Sequence, residues 1–294
     1  MFIVNQTLNE VTFDYTHCSD LAGTTLSAPP ASVSSTITAW QYNATQQTCT
    51  IQFRVPKSLY GGVFMYIRIS NMYQNNRLYV KSLDPDQLAG KIYSSASDFS
   101  SSLESNCGFL LYANCTRAAT STWTGNLLSY ASSNPDCLAT NKSQVVLNAD
   151  YNAQYYPCGL IANSMFTDTI SDLLCVDQTC RIPTFAFSAS GIAWPEDKAA
   201  YGKTGWATNP TYASQIPTML IPPPQWRQAW PALYGNGYNS SNIPDLGNWE
   251  RLQVWMRTAG LPQFRKLWGR NDSETLDAGL WQVSIIDGKQ QIMC

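Results

Sequence analysis

Three groupings in this sequence have residue types able to do chemistry. The single histidine, His17, has the side chain of a general base, but it abuts Cys18, and a serine or cysteine hydrolase needs its base aimed at a free hydroxyl or thiol. We read His17 as a polar loop residue. Asp84 with Asp86, and Glu196 with Asp197, have the chemistry of a glycosidase acid and base. Their turn-like settings, DPDQLAG and WPEDK, read instead as solvated surface. The segment CVDQTC, Cys175 to Cys180, could seed a metal site, yet zinc needs four placed ligands and no second close cysteine pair has matching spacing. No GxxxxGK[ST] or GxGxxG phosphate cradle occurs, so nucleotide binding has no local support.

The cysteines point elsewhere. Cys18, Cys49, Cys107, Cys115, Cys137, Cys158, Cys175, Cys180 and Cys294 make nine, many for a cytosolic chain in which thiols stay reduced. Disulfides are the favoured reading. Six N-glycosylation sequons, at Asn5, Asn43, Asn114, Asn141, Asn239 and Asn271, agree with an oxidising compartment. The agreement is slight, because chance in a chain this rich in Asn, Ser and Thr supplies about three or four. No run of 18 apolar residues spans a membrane, and MFIVNQTLNE lacks the basic and apolar regions of a signal peptide. The expectation is a lumenal or extracellular segment whose targeting parts lie outside this sequence.

The elements that must position these residues follow from composition and pattern. The 294 residues are 44% apolar, enough for a sizeable core, while only 13% are charged and Tyr, Ser, Thr, Asn and Trp abound, which favours β structure. A net charge of −2 with scattered Lys and Arg excludes nucleic-acid binding. Residues 2–15 and Thr48–Val55 alternate as half-buried strands, and GGVFMYIRISNMY, 61–73, reads as a strand buried on both faces. DPDQLAG predicts a short helix capped by Asp84, with Pro85 at its first position. Residues 92–152 are Ser-rich and hold three cysteines, a loop-rich excursion pinned by disulfides; residues 199–247 are similar, with three prolines in TMLIPPPQW. NWERLQVWMRTAGLPQFRKLWG, 248–269, is the strongest helix candidate, capped by Asn248 and ended by Gly260 and Pro262. Its Leu252, Trp255, Met256 and Ala259 form one apolar stripe, expected to be buried, while Arg251, Arg257, Arg265 and Lys266 could snorkel at a membrane interface. The tail alternates at Trp281, Val283 and Ile285 and reaches Asp287-Gly288, a closing strand or hairpin.

Four segments in order, SNMYQNNRLYVKS (70–82), YYPCGLIANSMFTDT (155–169), SGIAWPEDK (190–198) and VWMRTAGLPQFRKLWGR (254–270), resemble the hallmark segments of the cell division control protein 50 and ligand-effect modulator family. That family comprises the accessory β-subunits of type IV P-type ATPases, the lipid flippases, whose large glycosylated ectodomain lies between two transmembrane helices. The resemblance implies a mainly β fold, an antiparallel β-sandwich core with long irregular excursions and a few short helices, over residues 1–294 as a single exoplasmic domain. It implies a bridge Cys18–Cys49, and a second joining Cys158 to a cysteine upstream. Cys137–Cys158 with Cys107–Cys115 is the expected arrangement, and Cys107–Cys158 enclosing Cys115–Cys137 the alternative; Cys175–Cys180 is an added local bridge and Cys294 is left over. Asn163, a lone polar side chain in an apolar run, is expected to serve backbone groups beside the bridge. The resemblance further implies a non-catalytic subunit without cofactors, N-glycans apart, that forms a heterodimer with a P-type ATPase in endoplasmic reticulum, Golgi, endosomal or plasma membranes. The rival reading is a secreted carbohydrate-binding or carbohydrate-active β-sandwich using exposed aromatics as stacking platforms.

Overall fold

A computed structural model describes residues 1–30, 36–93, 107, 154–177 and 180–288. Contacts group the chain into two compact units, one of Met1–Asn75, Phe166–Pro195 and Glu250–Cys294, the other of Asn76–Met165 and Glu196–Trp249.

The first unit holds two antiparallel sheets. One runs in the order β11 (Phe264–Asn271), β5 (Val63–Ile69), β1 (Phe2–Asn5) and β2 (Glu10–Thr12). The other runs β3 (Ile37–Asn43), β4 (Thr48–Val55), β12 (Gly279–Ile286), β8 (Leu173–Cys175) and β9 (Thr184–Phe185), with β7 (Thr169–Ile170) also on β12. The period of two seen in the sequence is realised along the β4–β12 ladder, where Ile51 faces Val283 and Phe53 faces Trp281. All four are buried, and the Phe53 ring meets Phe13, which follows β2, at 4.8 Å. The fold is thus mainly β, an antiparallel sandwich with short helices, and among the described residues no helix is long and apolar enough to cross a membrane.

Strand β5 corrects one expectation. It is not buried on both faces: Val63, Met65 and Ile67 point inward, whereas Phe64 and Tyr66 are half-buried and Arg68 is exposed. The outward ring of Phe64 is covered by charge rather than core, with the Arg270 guanidinium 5.5 Å from its centre.

The segment 248–269 corrects another. Its helix is only Glu250–Met256, and after the Gly260–Pro262 turn the chain becomes β11, paired to β5 from Phe264 to Asn271. Asn248 does not cap this helix; its amide donates to Asp245 Oδ2 at 3.0 Å. The apolar stripe is buried as expected at Leu252, Trp255 and Met256. Lys266 does not snorkel. It is 7% exposed, and its ammonium donates to the carbonyls of Val254 and Trp255, each at 3.2 Å, and to that of Arg257, neutralising the orphan acceptors of the helix C-terminus. Arg251 is likewise occupied, its guanidinium stacked 3.9 Å from the Trp268 ring centre.

Among the described residues of the second unit, regular structure is sparse: a parallel pair of β6 (Gln154–Tyr155) with β10 (Leu220–Ile221), and short helices. Prolines set several of these helices. In TMLIPPPQW, Pro224 takes the first position of Pro224–Ala229, where a missing N–H costs nothing.

Burial of Trp255 in the first unit sets a stability scale. Trp255→Ala is expected to cost about 3–5 kcal/mol, read as a lowered denaturation midpoint; a variant that melts like the parent overturns this packing. The 12%-exposed carboxylate of Asp277 gives a second, pH-dependent test. It accepts from Arg181 Nη2 at 2.6 Å and from Arg181 N at 2.8 Å, and the guanidinium bond holds its carboxyl below the usual range. A depressed native pKa contributes stability that is full above the unfolded value, about 3.9, and is lost as pH falls through the native one. Asp277→Asn should therefore lower the melting temperature at neutral pH, with the difference from the parent closing below about pH 4.

Candidate functional site

The second unit is organised around the segment Tyr155–Leu160. Its construction begins in DPDQLAG, where the Asp84 carboxylate accepts from Gln87 N at 2.7 Å and so caps the helix Pro85–Leu88. The same Oδ1 accepts from the Tyr93 hydroxyl at 3.0 Å. Asp84 is buried, so its carboxylate is a cap and not the solvated surface group expected; Asp86 is the exposed one, paired with Lys91 at 3.0 Å. An acidic cap followed three residues later by Gln is the pattern of a capping box. Here the Gln87 side chain leaves the box and turns inward.

That amide joins three segments of the chain. Gln87 Oε1 accepts from Cys158 N at 2.8 Å, while Nε2 donates to Tyr155 O at 3.1 Å and Gln154 Oε1 at 3.2 Å. Gln154 Nε2 then donates to Tyr93 O at 3.2 Å. Tyr238 donates to Tyr156 O at 2.6 Å, and its burial raises the phenol well above the ordinary tyrosine range, so the proton stays on the donor. The Tyr156–Pro157 bond is cis. Each of these contacts satisfies a backbone or amide group that would otherwise be buried unpaired.

Cys158 is bridged to Cys107, both 1% exposed. This overturns the expected Cys137–Cys158 pairing with Cys107–Cys115 and matches the alternative at that bridge. Both sulfurs of this bridge are buried, so it closes in the interior. Cys115, Cys137 and Cys294, with the sequons Asn114 and Asn141 and most of the 92–152 excursion, lie outside the described residues.

Gly159 follows with φ +94° and ψ 170°, a conformation essentially restricted to glycine. A Cβ there would fall on the Ser82 carbonyl. Ser82 Oγ accepts from Leu160 N at 2.7 Å, so the two segments 70–82 and 155–169 lock at this point. Helix Leu160–Asn163 then presents Asn163 Oδ1 to Gln225 N at 3.1 Å, and the Ala162 carbonyl to Trp226 Nε1 at 2.8 Å. Trp226 lies among Trp249, Tyr234 and Trp230, with ring centres 5.0 to 6.1 Å away.

Cys18–Cys49 and Cys175–Cys180 are joined. His17 is exposed and 3.8 Å from Asp20, and Glu196 is exposed. Asn43 and Asn239 are exposed; Asn271 is half-buried, and its Nδ2 donates to Ala186 O and to Glu274 Oε2, each at 2.8 Å. Asn5 is buried. It is 2% exposed, its Nδ2 donates to Tyr60 O at 3.3 Å, and its Oδ1 accepts from Thr7 and Asn9, so the fold withdraws this sequon. Gln87, Gln154, Tyr238 and Trp226 were not singled out as site residues from sequence; the capping-box spacing Asp84–Gln87 was the one local signal. What the arrangement provides is a rigid hydrogen-bonded and disulfide-linked framework.

Residues 1–288 match the model of the LEM3 (ligand-effect modulator 3) family / CDC50 family. The chain is 36% identical over 240 residues to the phospholipid-transporting ATPase accessory subunit CRF1 of Saccharomyces cerevisiae, covering 81% of this chain and 46% of that protein. It is 31% identical to the accessory subunit LEM3 of the same organism, over 81% of this chain and 45% of the relative. With cell cycle control protein 50A of Bos taurus it shares 30% identity over 97% of this chain and 63% of the relative. The chain thus spans about half the length of the yeast relatives it matches.

Gly159→Ala should cost more than about 3 kcal/mol, since backbone strain adds to a clash with a fixed carbonyl. A urea midpoint unchanged from the parent would show that the Ser82 contact does not hold this segment.

Proposed function

The chain belongs to the LEM3 (ligand-effect modulator 3) / CDC50 family, and from that membership we propose that it is the exoplasmic domain of a non-catalytic accessory subunit of a phospholipid-transporting P-type ATPase. The observation that carries the reading is the match over 81% of this chain to two proteins named as such accessory subunits. In this reading residues 1–294 act as one lumenal or extracellular domain, held by membrane-spanning helices outside this sequence. The heterodimer forms in the endoplasmic reticulum, where the subunit assists folding and exit of the ATPase, and continues to Golgi, endosomal or plasma membranes. Catalysis belongs to the partner. The subunit carries no cofactor, and N-glycans occupy Asn43 and Asn239, which the fold leaves exposed, with Asn114, Asn141 and Asn271 as further sequons.

The geometry supports a binding framework. A domain that must present a fixed surface to a partner loses less entropy on binding when its loops are already ordered, and the Gln87 network and the three bridges order them beforehand.

The test is purification of the full-length membrane form by an affinity tag, with mass spectrometry of what accompanies it. A P-type ATPase recovered in near-equal amount is expected, and Gly159→Ala should reduce both proteins at the cell surface together. Recovery of the full-length form without any P-type ATPase, alongside glycan binding by the isolated domain, would replace this reading with the carbohydrate-binding one.

A further inference from the structure

The end of β12 is held by a clasp built from three parts of the first unit. β12 pairs with β7 at Ile285–Ile170 and Ile286–Thr169, and the chain then turns, with Asp287 N donating to Gln47 O at 2.9 Å. Gly288 comes down on the segment just before β7. Its carbonyl accepts from Thr167 Oγ1 at 3.3 Å, and a Cβ added to it would fall on the Thr167 side chain, so only glycine approaches this closely. The decisive contact is with Asp168, whose Oδ1 accepts from Gly288 N and whose Oδ2 accepts from the Tyr15 hydroxyl, each at 2.9 Å.

This carboxylate has no cation. Among the described residues no Lys, Arg or His forms an ion pair with it. The charged group that acts on it is Asp287, of the same sign; Asp14 lies beside Tyr15, and the turn at Gln47 brings no ionisable side chain. Burial raises the Asp168 carboxyl above the ordinary Asp range and the repulsion from Asp287 adds to this, while the bonds from Gly288 and Tyr15 pull it back without prevailing. Burial also raises the Tyr15 phenol well above the ordinary tyrosine range, so Tyr15 remains the donor in its bond.

The partners decide what a proton does here. Gly288 N–H and Tyr15 O–H both donate to the ionised carboxylate, whereas a protonated carboxyl carries a donor of its own. A backbone N–H cannot accept, so the proton belongs on Oδ2, where the Tyr15 oxygen takes it. The Tyr15 hydrogen then loses its acceptor. Gly288 N is left on a neutral oxygen in place of a charged one, a bond about half as strong.

We propose that Tyr15, Asp168 and Gly288 form a proton-operated latch on the end of β12, tight when Asp168 is ionised and loosened when solvent supplies it a proton. Loosening does not by itself unfold the domain. The folded carboxyl takes its proton at higher pH than the unfolded one, so the contribution of Asp168 to stability rises as pH falls through the native value. The latch belongs to the domain itself, so it stands or falls independently of the proposed accessory role.

The test uses the full chain labelled with heavy carbon at the Asp carbonyls and heavy nitrogen at the Gly amides. Asp287-Gly288 is the one Asp-Gly pair in the sequence, so a carbonyl-filtered NMR spectrum isolates its amide from those of the 17 glycines. Lowering the pH should move this amide proton upfield with a midpoint above the ordinary Asp value of about 3.9. Its protection from hydrogen exchange, corrected for the intrinsic pH dependence, should fall over the same range. Asp168→Asn imitates the protonated form, its oxygen accepting from Gly288 N and its amide donating to Tyr15, and should give the upfield position at every pH. Tyr15→Phe removes one bond to the carboxylate and should move the midpoint up. The latch is overturned by an amide that does not titrate, by a midpoint at or below the ordinary value, by protection that does not fall, or by a titration that persists in Asp168→Asn, where Asp287 alone would carry it. A midpoint in Tyr15→Phe no higher than the parent's overturns it equally, and that variant and the parent decide the matter should Asp168→Asn fail to fold.

Discussion

One buried side-chain amide ties the segments around Cys158 together. Gln87 takes the Cys158 N–H and gives its own two hydrogens to Tyr155 and Gln154, so a single buried group satisfies both sides of the turn that carries the Cys107 bridge. Among the described residues of the second unit, regular structure is a two-stranded parallel pair and short helices, so buried backbone groups outside them have no ladder to join. They must be met by side chains, and leaving one unmet costs about 1–3 kcal/mol. The network Asp84, Tyr93, Gln87, Gln154 is how that constraint is discharged. The aromatic cluster around Trp226 grows from the same segment, because the Ala162 carbonyl that Trp226 meets sits one turn beyond Gly159.

The sheet unit meets the same constraint by other means. There β12 is paired on both sides, with β4 along its full length and with β7 and β8 opposite, so its backbone is satisfied by ladders and its Trp281, Val283 and Ile285 fill the core. Charged groups finish the ends. The Glu250 carboxylate accepts from Ile192 N at 2.7 Å and Ala193 N at 3.0 Å, and Lys266 closes the carbonyl end of the same helix. Both ions are buried, and both are compensated by several hydrogen bonds, the condition under which a buried charge is tolerated.

These two solutions bear on the proposed role. A subunit that acts by docking needs surface loops with one conformation, and here the segments 70–82, 155–169, 190–198 and 254–270 are each tied to another segment by named bonds. Ser82 holds Leu160, Glu250 holds Ile192 and Ala193, and Gln74 Oε1 accepts from Ala259 N at 3.0 Å. The hydrogen bonds are internal, so the order they impose is in place before any partner arrives.

Much of this was legible in the linear order of residues. Alternation in Thr48–Val55 and Trp281–Ile285 specified strands with one buried face, because a period of two is a local property of extended chain. Asp84-Pro85 specified a capped helix start through local backbone chemistry, whereas the helix expected to run on to Gly260 and Pro262 ends at Met256. Family-like segments were visible for the same reason, being contiguous. What local pattern could not decide was partnership over distance. Whether Cys158 meets Cys107 or Cys137, whether Asn5 is open to a glycan or buried against Tyr60, and whether Lys266 reaches solvent or the end of a helix depend on which segments the chain packs together. FRKLWGR has apolar residues that suit a helix face as well as a strand, and pairing with β5 chose the strand. The sequence by itself determined the alternating strands and the Asp84-capped helix, which arise within a few residues; only the tertiary structure decided bridges and burial, because those energies exist only between segments that folding brings into contact.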